Sequence, residues 1–242
     1  MVHTLPDYTT RYKMVKIFGQ IDNNELACRL GSSSTEDRRG NIVWSDDFES
    51  TTKKWSLGAS GTGSTMDLVD TVAHRGNGSV KCVTGNNTSD LNFMLKRFTL
   101  PSEHKVGTEI YVDIIDKAIK LTNIIQGYSA PYYFGATVEF DVAADTIKVK
   151  DENDVQHTLD GTIPYNENEP MWVMYKLVID WATKKYVRLI LGNDTYDLSE
   201  YGLKQSPTTK KDMLQVWYFI NPTLDANKTM YFDDFILTQN EP

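Results

Sequence analysis

The sequence predicts an all-β fold, an antiparallel β-sandwich preceded by an extended N-terminal arm. Three observations predict it. From Asn41 onward, short stretches of alternating polar and apolar residues recur about every ten residues. Turn-forming residues separate them, and helical periodicity is nearly absent. Aromatics make up 11% of the 242 residues, with Tyr the commonest at 13, and aromatics favour strands. A hydrophobic share of 40% is enough for a substantial core and argues against disorder.

The elements follow in order. Residues 1–40 form the arm, a mixed segment followed by the polar run Gly31-Ser-Ser-Ser-Thr-Glu-Asp-Arg-Arg-Gly40, with a short helix expected from Asp22 through Leu30. The arm either reaches a partner or a neighbouring subunit, or is a flexible leader or an extra strand packed on the sandwich. The sandwich domain spans residues 41–242 and opens with Ile42-Val43-Trp44 and Phe48. Residues 79–83 alternate as a half-buried strand does, and residues 91–100 continue the pattern. Residues 108–114 place Ile110, Val112 and Ile114 on one face and Glu109, Tyr111 and Asp113 on the other. Residues 132–142 and 146–150 pair across Ala143-Ala144-Asp145. Residues 172–179 and 186–191 form a hairpin around the turn 180–185, and Gly192-Asn193-Asp194 turns into 195–198. Residues 214–220 and 230–238 close the chain. With no internal repeat and no Pro- or Gly-rich linker, residues 41–242 read as one domain.

Composition excludes several classes. The formal net charge is −8, and the only basic clusters are pairs such as Lys53-Lys54 and Lys210-Lys211, so neither nucleic acid nor an anionic membrane is an expected partner. No stretch approaches the ~20 apolar residues of a membrane span. The first residues lack a continuous apolar region, so they do not read as a secretory signal. Cys28 and Cys82 are expected as two buried thiols in preference to one bridge. The five Asn-x-Ser/Thr sites, at Asn77, Asn86, Asn87, Asn193 and Asn227, read as turn composition.

Three local patterns carry a resemblance: Asp46-Asp47-Phe48-Glu49 with Trp55 following, Ala73-His74-Arg75-Gly76-Asn77-Gly78-Ser79-Val80-Lys81, and Tyr231-Phe232-Asp233-Asp234-Phe235-Ile236-Leu237. Together they resemble the concanavalin-A/laminin-G-like jelly rolls and related carbohydrate-binding modules. The resemblance implies a jelly-roll sandwich whose first and last strands lie side by side. Such sandwiches occur in glycan-binding modules, in some glycanases and in phage virion surface proteins. The arm segments Leu26-Ala-Cys-Arg-Leu-Gly31 and Asp37-Arg-Arg-Gly40 resemble leaders of phage structural proteins. Glycan-binding jelly rolls with similar motifs often hold a structural Ca²⁺ where the two acidic ends meet. Carried onto this chain, the ligands are Glu49 and Asp233, with carbonyls near Asn77. The alternative is that these carboxylates cap turns by accepting backbone N–H groups.

No catalytic residues are expected. His3, His74, His104 and His157 lie in no HExxH motif, and no GxSxG occurs. Glu139 and Asp141 share a strand face, but position 144 is Ala where a jelly-roll glycanase carries a third carboxylate; Glu109, Asp113 and Asp116 form another acidic set. A glycan face would be marked by aromatics in or near turns, with Tyr128, Tyr132, Tyr133 and Trp181 as candidates, whereas Trp172 and Trp217 read as core. The expected function is a non-catalytic structural or assembly protein, a phage virion surface component of the capsid-decoration kind, working as a homo-oligomer in the virion. The alternative is a carbohydrate-binding module, extracellular if a signal peptide has been removed. A glycanase comes third.

Overall fold

A computed structural model describes residues 39–166 and 169–242, and these contain no helix. The helix expected from Asp22 to Leu30, Cys28, and all of the arm except Arg39 and Gly40 lie outside the described residues. Two antiparallel eight-stranded sheets face each other. The first runs β13 (Asp194–Asp197), β12 (Lys185–Leu191), β11 (Trp172–Asp180), β6 (Lys105–Ile114), β16 (Thr229–Gln239), β4 (Ser79–Val83) and β3 (Thr65–Val69), with β1 (Asn41–Asp46) also on β16. The second runs β10 (Gln156–Leu159), β9 (Thr146–Lys150), β8 (Tyr132–Asp141), β7 (Ile119–Ser129), β15 (Met213–Pro222), β5 (Asn92–Thr99) and β2 (Ser56–Gly58), with β14 (Lys204–Pro207) also on β8. This is the all-β jelly roll that the sequence predicts. The first strand lies against the last, from Asn41 opposite Gln239 to Asp46 opposite Phe235.

Alternation builds the core. Ile110, Val112 and Ile114 of β6 meet Leu121 and Ile125 of β7, Val138 and Phe140 of β8, and Val216, Tyr218 and Ile220 of β15, all buried. Each fully buried aliphatic side chain contributes about 1.5–3 kcal/mol. Two tyrosines of the β6 sheet tie the layers with hydrogen bonds. Tyr175 Oη donates to Asn123 Oδ1 (2.7 Å), and Asn123 Nδ2 donates to the Trp217 carbonyl (3.0 Å). Tyr186 Oη donates to the Lys150 carbonyl (2.8 Å) and accepts the Thr137 N–H (2.6 Å). Buried polar groups need such partners. Cys82 is a free thiol within the core, and burial pushes its pKa up to about 12.

The outward side of the β6 sheet is unusual for its buried charge. Lys176 of β11 is fully buried, and its Nζ reaches Glu241 Oε1 (2.9 Å) and the Arg39 carbonyl (2.7 Å). Glu241 Oε2 takes Arg188 of β12 at 2.9 Å, and Arg188 also donates to the carbonyl of Pro242 (2.8 Å). The C-terminus is thereby pinned across β11 and β12.

Three differences from the sequence reading stand out. Strand β7, central in its sheet, was not anticipated. Trp172 and Trp217, read as core, face outward from opposite sheets. Trp172 packs with Tyr111, Met174 and Ile190 outside the main core. The error over Trp217 has a physical source: β15 is apolar on both sides, so neither phase of its alternation stands out. Leu214, Val216, Tyr218 and Ile220 take the inside, leaving Gln215, Trp217 and Phe219 outside.

Candidate functional site

The strand register assembles an ordered surface on the outward side of the β7 sheet. Along one row, Arg97 of β5 lies opposite Gln215 of β15, Gln215 opposite Gln126 of β7, Gln126 opposite Gly135 of β8, and Gly135 opposite Lys204 of β14. Neighbouring strands lie about 4.8 Å apart, so this polar row crosses five strands. A second row runs Leu95, Trp217, Ile124, Thr137 and Lys150. A third, on the other side of the polar row, runs Thr99, Met213, Tyr128, Tyr133 and Ser206. Leu95, Ile124, Tyr128, Met213 and Trp217 all stand outside the main core cluster, as outward-facing residues should.

Aromatic rings flank the polar row on both sides. Trp217 stacks on Phe219 at 5.1 Å and 12°, and Phe93 closes on Trp217 at 5.7 Å. Across the row, Tyr128 meets Tyr133 at 5.4 Å. Hydrogen bonds orient the two amides between these walls. Tyr128 Oη lies 3.0 Å from Gln126 Oε1, and Trp217 Nε1 donates to Gln215 Oε1 (3.3 Å). A phenol and an indole are here the donors, so each amide turns its carbonyl toward the protein. Burial pushes the Tyr128 phenol up from its ordinary pKa, with Tyr133 adding to the rise and Arg97 opposing it, so the phenol stays a proton donor. Gly135 keeps the floor open, since a Cβ there would meet only the Tyr133 ring, at 3.6 Å.

The residues singled out from sequence fall in several places. Tyr128 and Tyr133 are neighbours on this face. Tyr132 is exposed at the β7–β8 hairpin end, opposite Ser129, and alternates away from Tyr133. Trp181 lies on the other side of the sheet: its ring sits against Gly127, where a Cβ would come within 2.9 Å, and it packs on the main core. Its place in the turn after β11 suggested a surface role, but the gap over Gly127 draws it inward. The acidic set Glu139 and Asp141 does share the outward face. Lys120 lies 3.5 Å from both, and Lys148 lies 3.9 Å from Glu139. Glu109 and Asp113 are buried under the outward side of the β6 sheet, apart from this surface. A separate cleft of about 600 Å³ opens at one end of the sandwich between Asp116, Ala143 and Leu224.

Sequence reasoning missed Arg97, Gln126, Gln215 and Trp217 as a set. They come from three strands distant in the chain, and no short motif could join them. The signal that was available is the odd phase of β15, in which Gln215, Trp217 and Phe219 share one side.

The acidic chain ends meet as expected, on the turn 74–78. Glu49 Oε1 accepts the N–H groups of Asn77 (2.5 Å) and Gly78 (2.7 Å). Asp233 Oδ2 accepts those of His74 (2.8 Å) and Arg75 (3.2 Å), and its Oδ1 accepts that of Asp234 (2.7 Å). Asp234 breaks the β16 register with φ of 48° and turns toward His74, whose Nδ1 lies 2.8 Å away. Asp46 likewise accepts the Phe48 N–H (3.2 Å) and Trp55 Nε1 (3.1 Å). Among the described residues no three His, Cys, Asp or Glu side chains gather as a metal centre. The donors around Glu49 and Asp233 are backbone N–H groups, which fit turn capping and face the oxygens a cation would need. Ca²⁺ takes six to eight oxygens.

Burial, and then the charge of Asp234, push the Asp233 carboxyl up to about 8, against the pull of the three N–H groups. Its ordinary pKa is near 3.8, so the folded state holds the proton over the window between the two values. Stability is then full below about pH 4 and falls as pH rises toward 8. Melting temperatures between pH 4 and 8 should decline more steeply in the parent protein than in Asp233→Asn. Capping also predicts no rise in melting temperature on adding Ca²⁺. A rise that Glu49→Ala with Asp233→Ala removes would assign these carboxylates to calcium instead.

No protein-family model matches the chain, and no curated protein matches it in sequence. Solved structures do match in fold. An endo-β-1,4-glucuronan lyase from the fungus Trichoderma reesei aligns over 83% of this chain and 96% of its own, with a TM-score of 0.57 and 8% identity. The cellulose-induced protein Cip1 aligns over 81% and 97%, with 0.55 and 18%. A carbohydrate esterase from the Shiga toxin-encoding bacteriophage phi24B aligns over 83% and 99%, with 0.52 and 13%. At these identities the likeness is one of fold, and it agrees with the jelly-roll sandwich.

Proposed function

We propose that this protein binds a polysaccharide chain across the outward face of the β7 sheet and does not cleave it. The observation that carries this reading is the pair of aromatic walls, Trp217–Phe219–Phe93 and Tyr128–Tyr133, standing outside the core on either side of an amide row. Sugar rings present apolar C–H faces that pack on aromatic rings, and hydroxyls that need polar partners. A few placed polar groups among apolar walls are what orient a ligand. Trp217, Phe219 and Phe93 pack on one another yet stay partly exposed on the sheet surface, where a ligand can reach them. The glucuronan lyase and the carbohydrate esterase that share the fold are carbohydrate-active by name, and they support a glycan reading in preference to the virion assembly role that the sequence puts first. Glycoside hydrolysis needs one carboxyl to give a proton and a second to act opposite it. Glu139 and Asp141 are the carboxylates on this face, and both lie against lysines as ion-pair partners.

Affinity electrophoresis against a panel of soluble polysaccharides tests the reading. The protein should be retarded by at least one, and Trp217→Ala should migrate freely in the same gel. Reducing ends should not accumulate during long incubation with that polysaccharide. Retardation unchanged by Trp217→Ala would place binding elsewhere, and released sugars would make the protein an enzyme.

A further inference from the structure

We propose that the bound polysaccharide is acidic, carrying carboxylate or sulfate groups that seat on the polar row at Arg97. The inference rests on the glycan reading above and names the class of sugar. Its first ground is the balance of donors and acceptors. Gln215 is buried, with its Oε1 facing Trp217 Nε1 and its Nε2 lying 3.7 Å from Met213 Sδ, so the amide left for a ligand is that of the partly buried Gln126, which spends its carbonyl oxygen on Tyr128 and offers its N–H₂. Arg97 adds five more N–H donors and no acceptor. A neutral sugar hydroxyl both gives and takes a hydrogen bond and uses only part of this donor pair. A carboxylate or sulfate only accepts, and matches it.

The second ground is charge. Arg97 is exposed and makes no ion pair among the described residues. Lys150, at the end of the Trp217 row, makes none either, and Lys210 lies over the Tyr128 ring at 5.0 Å. The chain as a whole has 33 acidic residues against 25 basic ones, so Arg97 and Lys210 beside the aromatic walls run against its composition. A guanidinium presents a planar fork that meets two oxygens of one anion together, and charge-assisted bonds of this kind are about twice as strong as neutral ones. The flanking rings would hold the sugar rings on either side of that anchor.

The test uses the full chain with four polymers: polygalacturonate for carboxylates, carrageenan for sulfates, and galactan and xyloglucan as neutral controls. Binding should be confined to one or both acidic polymers and should weaken as salt rises. Arg97→Gln should lower that affinity about tenfold or more at low salt, and Arg97→Lys should restore part of it. Because Arg97 is exposed, the melting temperature of both variants should match the parent. The carboxylated and sulfated arms tell which anion is read. Binding to neutral polymers alone, lost in Trp217→Ala, would overturn the acidic inference and leave the glycan reading standing. Acidic binding that ignores both salt and Arg97→Gln would also overturn it. Binding to no polysaccharide of the wider panel would remove the glycan reading itself.

Discussion

Replacing Trp217 by Ala should weaken glycan binding about thirtyfold or more while leaving the protein folded. A large aromatic at the centre of a binding surface commonly carries about 2 kcal/mol or more, and that loss is about thirtyfold in affinity. Trp217 is half-buried, stands outside the core, and touches Phe93 and Phe219 on the sheet surface. Such ring pairs contribute about 0.5–1.5 kcal/mol, so denaturation should shift only slightly. Tyr218, the next residue, faces the other way and is fully buried. Tyr218→Ala should cost about 3–5 kcal/mol of stability through the cavity it leaves. Measured together by titration and by denaturant unfolding, the two variants should split cleanly, one losing the ligand and the other losing the fold. If Trp217→Ala unfolds the protein as Tyr218→Ala does, the face is structural.

Glu241→Ala should lower stability by about 3 kcal/mol, although the residue is next to last in the chain. Terminal residues are usually dispensable. Here Glu241 is buried and holds Lys176, itself fully buried, together with Arg188. Removing one partner of a buried pair leaves a charge without its counter-ion, which costs about 3–5 kcal/mol. Glu109 lies 4.0 Å from Lys176 and keeps the loss at the lower end of that range. For a domain of this size the melting temperature should drop by about 10 °C. Lys176→Met combined with Glu241→Leu should recover only part of it, because the desolvation cost of that pair is removed while Glu109 and Arg188 each lose a partner. Differential scanning calorimetry of the single and double variants checks this; an unchanged melting temperature in Glu241→Ala would mean the buried network adds nothing to stability.

The fold was legible because alternation survives in most strands. The 172–191 hairpin, the 132–150 hairpin and the pairing of chain ends follow from residues adjacent in sequence or from matching end motifs. Strand β7 was not legible, for a local reason. Asn123 occupies an inward position in Ile119–Ser129, and the Ile124–Ile125 doublet blurs the phase. The buried amide is tolerated only because Tyr175 and the Trp217 carbonyl satisfy it, and both come from distant strands. The candidate site was legible in part. Tyr128 and Tyr133 were singled out as aromatics beside a turn, and the β7–β8 hairpin sets them opposite each other. Trp181 was misplaced because nothing in its own turn announces the gap over Gly127. Arg97, Gln215 and Gln126 depend on β15 inserting between β5 and β7, both far upstream in the chain, and such pairings leave no local trace. The motifs around Asp46, Glu49 and Asp233 were conspicuous, and in the structure these carboxylates hold turns, an indole and each other's loop.

Amide chemical-shift mapping with an oligosaccharide from the polymer that binds tests the central claim most directly. The account predicts shifts in β5, β15, β7 and β8, largest around Arg97, Gln215, Trp217, Gln126 and Tyr128, with the Trp172 side of the β6 sheet and the cleft between Asp116 and Leu224 unmoved. Shifts concentrated on Trp172 and Tyr111, or in that end cleft, with the Trp217 face silent, would contradict it.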